Sequence, residues 1–232
     1  MRIVIRIGGS VIASPVNPRL INQYSKLLER LRNSGHEVVT VVGGGTLARE
    51  FIRISSQLDL VEEAQDWLAI HVSRLFALLL TLKLGLDNTV PHSIEEAIKR
   101  LEKDRITVMG GLKPGMTTDT VAAYLAQKTE AQLLLKATNQ DGVYTKDPVK
   151  HKDAKKLDNI TYHKLAKLFE QNHHKAGIHQ ILDPVALEIL QKTHIKTVIV
   201  NGYDPQNVQK AIENQKIGTV ISPEQNLNKS TA

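Results

Sequence analysis

Residues 37–49 read EVVTVVGGGTLAR. The first six are mostly valine, and β-branched side chains suit the pleated, half-buried surface of a strand. Three successive glycines, Gly43, Gly44 and Gly45, end that strand, and residues 47–58 then read as a helix. A strand running through glycine into a helix is the repeating unit of an α/β fold. The glycines also let backbone N–H groups come close to an anion.

The same grammar extends in both directions. Residues 2–7 (RIVIRI) form a short β-branched strand that ends at Gly8-Gly9-Ser10. Asn17-Pro18 is a cap followed by proline in the first helical turn, and Leu20, Ile21, Tyr24, Leu27, Leu28 and Leu31 recur at helical spacing up to Gly35. Residues 62–84 read as a long helix, and Ser93 with Glu96 makes a capping box that opens another. Residues 106–109 form a strand ending at Gly110-Gly111, with the next helix starting at Thr118 or capped by Asp119; residues 133–137 form a strand ending at Thr138-Asn139. Asp183-Pro184 and Asp204-Pro205 repeat the cap-then-proline start, and residues 197–200 and 219–221 are further strands. Strands alternating with helices predict an α/β fold, a three-layer αβα sandwich around a mainly parallel central sheet.

Composition narrows the class. The chain has 232 residues, 41% hydrophobic and 23% charged, which suits one α/β domain or two tightly fused lobes. Aromatic residues are 4%, too few for the stacking platforms that bind single-stranded nucleic acid. The net charge of +6 is spread along the chain, so the densest stretch, KHKDAKK at 150–156, reads as a solvated basic loop and no nucleic-acid partner is expected. With no cysteine, disulfides and thiolate zinc sites are excluded. The stretch MRIVIRIGGS is too short and too interrupted by arginine for a signal peptide. The longest apolar stretch, residues 75–82, cannot span a bilayer. A cytoplasmic protein without a membrane partner is the expectation.

In open α/β sheets ligands bind beyond the carboxyl ends of the strands. Four predicted strands end there in suggestive loops: Gly8–Ser10, Gly43–Gly45, GGLKPGMTTD at 110–119 and ATNQDGVYTKDP at 137–148. One glycine pair after a strand is ordinarily just a turn. Four such loops in phase point to phosphate. Neither GxGxxG nor GxxxxGK[ST] occurs, so this is neither the dinucleotide fingerprint nor a P-loop.

These motifs carry a family resemblance. GGS at 8–10, VVGGGTLAR at 41–49, MGG at 109–111, PGMTTD at 114–119, ATNQDGVYTKDP at 137–148 and AGIHQILDPVAL at 176–187 stand in the order found in UMP kinases. The chain resembles the archaeal branch of those enzymes, within the amino-acid-kinase superfamily, from Arg2 to about Pro223. The resemblance implies transfer of phosphate from ATP to UMP with Mg²⁺, and a homohexamer built from dimers. It implies one amino-acid-kinase domain over 1–223, with an acceptor-binding part at about 1–130 and an ATP-binding part at about 131–223, followed by a polar tail at 224–232. On the ATP side it places Gly9, Ser10, Gly45, Arg49, Thr138, Tyr144 and Asp147. On the UMP side it places Gly44, Asp66 and the loop Leu112, Lys113, Pro114, Gly115, Met116, Thr117 and Thr118, with Asp66 holding the ribose hydroxyls.

Plainer readings stand beside these. A helical arginine such as Arg49 is ordinarily a surface charge, Asp66 a solvated helix residue, Tyr144 core packing and Asp147-Pro148 a turn pair. His163, His173, His174 and His179 fit no metal-ligand spacing. The resemblance is also broken in places. Arg6 stands where many family members carry lysine, Phe76 where a small polar residue is usual, and Gln140 where an aliphatic one is. For the cation that meets transition-state charge, Arg49 comes first and Arg6 depends on which way its strand face points. Two alternatives stay open: a kinase of the same fold for another small acceptor, and a non-catalytic nucleotide- or oxoanion-binding storage protein.

Overall fold

In the computed structural model, which describes residues 1–171 and 181–223, the chain opens with strand β1 (Arg2–Ile7). A single helical turn, α1 (Gly9–Ile12), follows, then α2 (Pro18–Asn33) and β2 (Glu37–Val42). Next come α3 (Gly45–Gln57), α4 (Glu62–Lys83) and α5 (Ile94–Asp104). They lead into β3 (Ile106–Met109), α6 (Thr118–Lys128) and β4 (Leu133–Thr138). A short antiparallel ribbon of β5 (Val143–Tyr144) and β6 (Lys156–Leu157) precedes β7 (Asn159–Thr161) and α7 (Tyr162–Gln171). The described chain closes with α8 (Pro184–Thr193), β8 (Lys196–Asn201), α9 (Gln206–Ile212) and β9 (Thr219–Ser222).

Seven strands form one sheet in the order β3-β2-β1-β4-β8-β9-β7. The first five run parallel; β9 is antiparallel to β8 and β7 is parallel to β9. Strand alternation assigns the two faces. Ile3, Ile5 and Ile7 of β1 join Leu133, Leu135 and Ala137 of β4 against α2, α4 and α9. Val4, Val39, Val41, Leu134 and Ile199 point the other way, against α5, α6, α7 and α8. Both faces are covered, which is why the central strands read as near-continuous aliphatic runs. This is the three-layer αβα sandwich that the sequence predicts.

Local signals operate as read. The Asn17 side chain accepts the Leu20 N–H at 3.0 Å, Ser93 that of Glu96 at 3.1 Å and Asp183 that of Ala186 at 2.9 Å. Gly35 stops α2 with φ +84°. One expectation is corrected: α6 is capped by Thr117, whose hydroxyl accepts the N–H groups of Asp119 and Thr120, leaving the Asp119 carboxylate free to point inward. The sequence reading also missed α1, α7 and the strands β5, β6 and β7. All but α7 are four residues or fewer, too short to show a period; α7 is capped by Thr161, whose hydroxyl accepts the Lys164 N–H at 3.2 Å, a local signal that the sequence reading passed over.

Tyr24 is fully buried on α2 and donates its hydroxyl to the Gly202 carbonyl at 2.8 Å, joining that helix to the loop after β8. Burial pushes its ionisation well above the usual tyrosine value. Tyr24→Phe leaves that carbonyl without its partner and should cost about 1–3 kcal/mol. Urea denaturation should show a lower midpoint at unchanged slope.

Candidate functional site

The strand order places the four loops side by side. Because β3, β2, β1 and β4 are adjacent and parallel, the loops after them share one edge of the sheet. The chain leaves β1 toward β2 and β3 on one side and continues through β4 to β8 on the other. The boundary between β1 and β4 is therefore the switch point at which such sheets open a crevice.

Glycines line that crevice because backbone meets backbone there. A Cβ on Gly9 would stand 2.0 Å from the Gly45 nitrogen, and one on Gly45, whose φ is +63°, would stand 2.4 Å from the Gly9 carbonyl oxygen. Ser14 stitches the two loops, donating to the Gly9 carbonyl at 3.1 Å and accepting the Thr46 N–H at 2.7 Å. The Gly8 N–H donates to the Ala137 carbonyl at 2.8 Å, which ties the first loop to the end of β4.

Beyond these loops lies a cleft of about 350 Å³, lined by Gly44, Ala48, Asp66, Ile70, Ser73, Gly111, Lys113, Gly115, Met116, Thr117 and Thr118 among others. Seven of the nine residues expected on the UMP side are in that lining. Leu112 and Pro114 are not; Leu112 packs its side chain into the core on the α6 side. Asp66 is half-buried, and its Oδ2 accepts the Gly115 N–H at 2.8 Å across the cleft. A larger hollow between α2 and α9, about 650 Å³, is lined by long polar side chains and shares no residue with the strand-end loops. The smaller cleft has the convergent groups.

Next to the cleft, joined to its lining through Thr118, lies a buried ionic cluster. Arg6 and Lys136 are register partners on β1 and β4 and point to the same face. The Asp119 carboxylate lies between them, Oδ1 2.8 Å from Arg6 Nε and Oδ2 2.5 Å from Lys136 Nζ. The Arg6 contact is a close ion pair without hydrogen-bond alignment, so Nε and Oδ1 count as unbonded even at that distance. Arg6 Nη2 donates to the Thr118 hydroxyl at 3.0 Å, and a Cβ on Gly8 would stand 2.9 Å from Nη1. The guanidinium therefore sits where the Gly8–Ser10 loop meets the 110–118 loop. Burial drives the Lys136 ammonium down to about 8, with Arg6 pushing the same way and Asp119 opposing. Burial alone would raise the Asp119 carboxyl, but Arg6 and Lys136 hold it below its usual value. Asp183, the cap of α8, accepts the Thr117 hydroxyl at 2.6 Å and that of Thr120 at 2.9 Å, binding α6 to α8 beside this cluster.

Residues 1–201 match the amino acid kinase family. The chain belongs to that family. It is 41% identical to the uridylate kinase of Methanocaldococcus jannaschii and 38% identical to that of Methanobrevibacter smithii, in each case over 95% of this chain and 99% of the relative. The uridylate kinase structure from Archaeoglobus fulgidus superposes with a TM-score of 0.87 at 34% identity, covering 96% of this chain and all of that one.

The remaining candidate residues have unequal connections. Thr138 ends β4 and accepts the Gly202 N–H on its carbonyl at 2.7 Å. Tyr144, on β5, donates to Asp141 at 2.9 Å. Asp147 accepts the Val149 N–H at 2.9 Å, the turn contact that its proline neighbour suggested. Ser10 accepts the Tyr203 hydroxyl on its carbonyl at 3.2 Å. Arg49 is exposed on α3 and makes no ion pair with the described residues. His163 is exposed, and His173, His174 and His179 lie outside the described residues. Sequence reasoning missed Lys136 and the role of Asp119. The available signal was a lysine inside the aliphatic run LLLKAT, where a charge cannot be buried without a partner.

Two outcomes follow for this family member. Asp119→Asn strands two buried cations and should cost about 3–5 kcal/mol by chemical denaturation. Lys136 titrates near 8 when folded and near 10.5 when unfolded. Between those values the unfolded chain binds the extra proton, so unfolding free energy should rise with pH. The rise should be read from pH 8 to below 10, before unfolded tyrosines ionise. Lys136→Met should flatten it.

Proposed function

We propose that the chain is a UMP kinase, transferring the γ-phosphoryl group of ATP to UMP to give UDP and ADP. The observation that carries this reading is the meeting of one cleft, walled by Asp66, with a buried cationic cluster beside two glycine loops. Near-full-length relatives that are uridylate kinases support it.

Phosphoryl transfer needs two anions aligned and their charge met, with little covalent chemistry from the protein. We assign Asp66 to the ribose hydroxyls; a carboxylate has about four lone-pair sites, so Oδ1 stays available while Oδ2 holds Gly115. The loop from Lys113 to Thr118 surrounds the UMP phosphate and base, with Gly44 opposite. Gly9, Ser10, Gly45 and Arg49 face the ATP phosphates, and Thr138, Tyr144 and Asp147 its ribose and base. A UMP phosphate oxygen then attacks the γ-phosphorus as the bond to the β-phosphate oxygen breaks. Arg6 is the transition-state cation in this reading, because its guanidinium stands where the first phosphate loop meets the acceptor loop. Lys136, only 2% exposed, does not touch substrate. It offsets Asp119, so the cluster keeps a net charge of +1.

Among the described residues no three His, Asp or Glu side chains are placed to hold a metal. Magnesium keeps much of its water and binds mainly through substrate phosphates, so it fits as an ion carried in on ATP rather than caged by the chain. Bound there, it neutralises phosphate charge.

Exposed Leu75, Leu79 and Leu82 recur at i, i+4 and i+7 on one face of α4, and we read that face as the seam of a homo-oligomer, a hexamer by family resemblance. No described helix is long and apolar enough to cross a membrane. We place the enzyme in the cytoplasm, with its nucleotide substrates.

A screen of UMP, CMP, AMP and GMP with Mg-ATP, read by ADP formation, tests the assignment; UMP should be strongly preferred, and activity only on another acceptor would refute it. Asp66→Asn should raise the Michaelis constant for UMP about tenfold to a hundredfold. Arg6→Ala should lower kcat roughly a thousandfold, by analogy with arginine fingers, while Arg49→Ala should mainly raise the Michaelis constant for ATP. Steady-state kinetics with both substrates varied separates these outcomes.

A further inference from the structure

Helix α4 carries a stripe that the nucleotide assignments use only at Asp66. Asp66, Ile70, Ser73 and Arg74 recur at i, i+4, i+7 and i+8, one face of a helix. That face abuts the end of β3 so closely that a Cβ on Gly110 would stand 2.6 Å from the Arg74 backbone nitrogen. The Arg74 side chain runs back along the acceptor loop. Its Nε donates to the Gly111 carbonyl at 3.0 Å and its Nη2 to the Leu112 carbonyl at 2.8 Å. The neighbouring Ser73 hydroxyl accepts the Gly111 N–H at 2.8 Å.

Arg74 is 9% exposed, and no carboxylate among the described residues forms an ion pair with it. A buried cation is costly unless its donors are satisfied. Here two consecutive carbonyls do that, and the Trp67 ring, with its centroid 5.9 Å from the guanidinium carbon, lies over the charge. With Asp66 holding Gly115, α4 grips the acceptor loop at both ends. A planar fork can span two successive carbonyls; a point charge cannot.

We propose that Arg74 is a positioning residue for the acceptor: it fixes the carbonyls of Gly111 and Leu112, and so the loop that surrounds UMP, without touching the nucleotide. This rests on reading the cleft as the UMP site. Its signature is a split between substrates. Freeing the loop makes acceptor binding reorder it, while the ATP phosphate loops stay stitched by Ser14.

The test compares the wild-type enzyme with Arg74→Lys and Arg74→Met by steady-state kinetics and by hydrogen–deuterium exchange of the nucleotide-free proteins. Both variants should raise the Michaelis constant for UMP about tenfold or more, with that for ATP and kcat at saturating UMP changed by no more than about twofold. Amides of residues 110–117 should exchange faster, and those of β1 should not. Arg74→Lys keeps the charge and the stem, so it keeps the test open should the methionine variant fold poorly. A wild-type UMP constant in Arg74→Lys would overturn the proposal, as would equal weakening of both substrates or unchanged exchange across 110–117. A wild-type enzyme inactive with UMP would instead remove the reading of the cleft, and the exchange rates would still decide whether Arg74 holds the loop.

Discussion

The site depends on one buried carboxylate. Arg6 and Lys136 stand side by side on adjacent parallel strands, about 4.8 Å apart in the pairing direction, and point to the same face. Two cations so close in a desolvated interior repel strongly, and neither could be buried there alone. Asp119 resolves this by entering between them from the first turn of α6, where the helix dipole also favours a negative charge. That requirement fixes where α6 begins. Thr117 and Thr118, directly before Asp119, are thereby fixed too, and with them the end of the 110–118 loop. The ionic cluster thus sets the geometry of the cleft as well as its charge.

A second constraint is steric. Gly9 and Gly45 meet backbone to backbone, and any side chain at either would push the two phosphate loops apart. Glycine here costs conformational entropy on folding. The stitching by Ser14 limits the freedom those glycines would otherwise bring to a functional loop.

Much of this was legible in the sequence, for identifiable reasons. The central strands are aliphatic because both sheet faces are covered, so their run lengths and glycine ends located them closely. Caps at Asn17, Ser93 and Asp183 are local chemistry and read directly. The ribbon of β5 and β6 was invisible because two-residue strands have no period. The ionic cluster was invisible for another reason: it joins β1, α6 and β4, which only the strand order brings together. Lys136 was conspicuous as a charge in a buried strand, yet its partner Asp119 looked like a helix cap, a role that Thr117 fills instead.

Arg6 shows why the exchange of lysine for arginine on the first strand is more than a preserved charge. A lysine would present one compact ammonium, which Asp119 could fully claim. The guanidinium divides its contacts: Nε lies against Asp119, Nη2 reaches Thr118 and Nη1 lies beneath Gly8. One planar group thereby spans the carboxylate, the acceptor loop and the first phosphate loop. Burial draws the Lys136 ammonium beside it down to about 8. Arg6 therefore reaches the Gly8 and Thr118 loops, while Lys136 stays against Asp119. Were the two exchanged, the group reaching those loops would be the one that burial tends to discharge. Arginine in front and lysine behind is the order that lets one guanidinium reach both loops while the buried ammonium stays against Asp119.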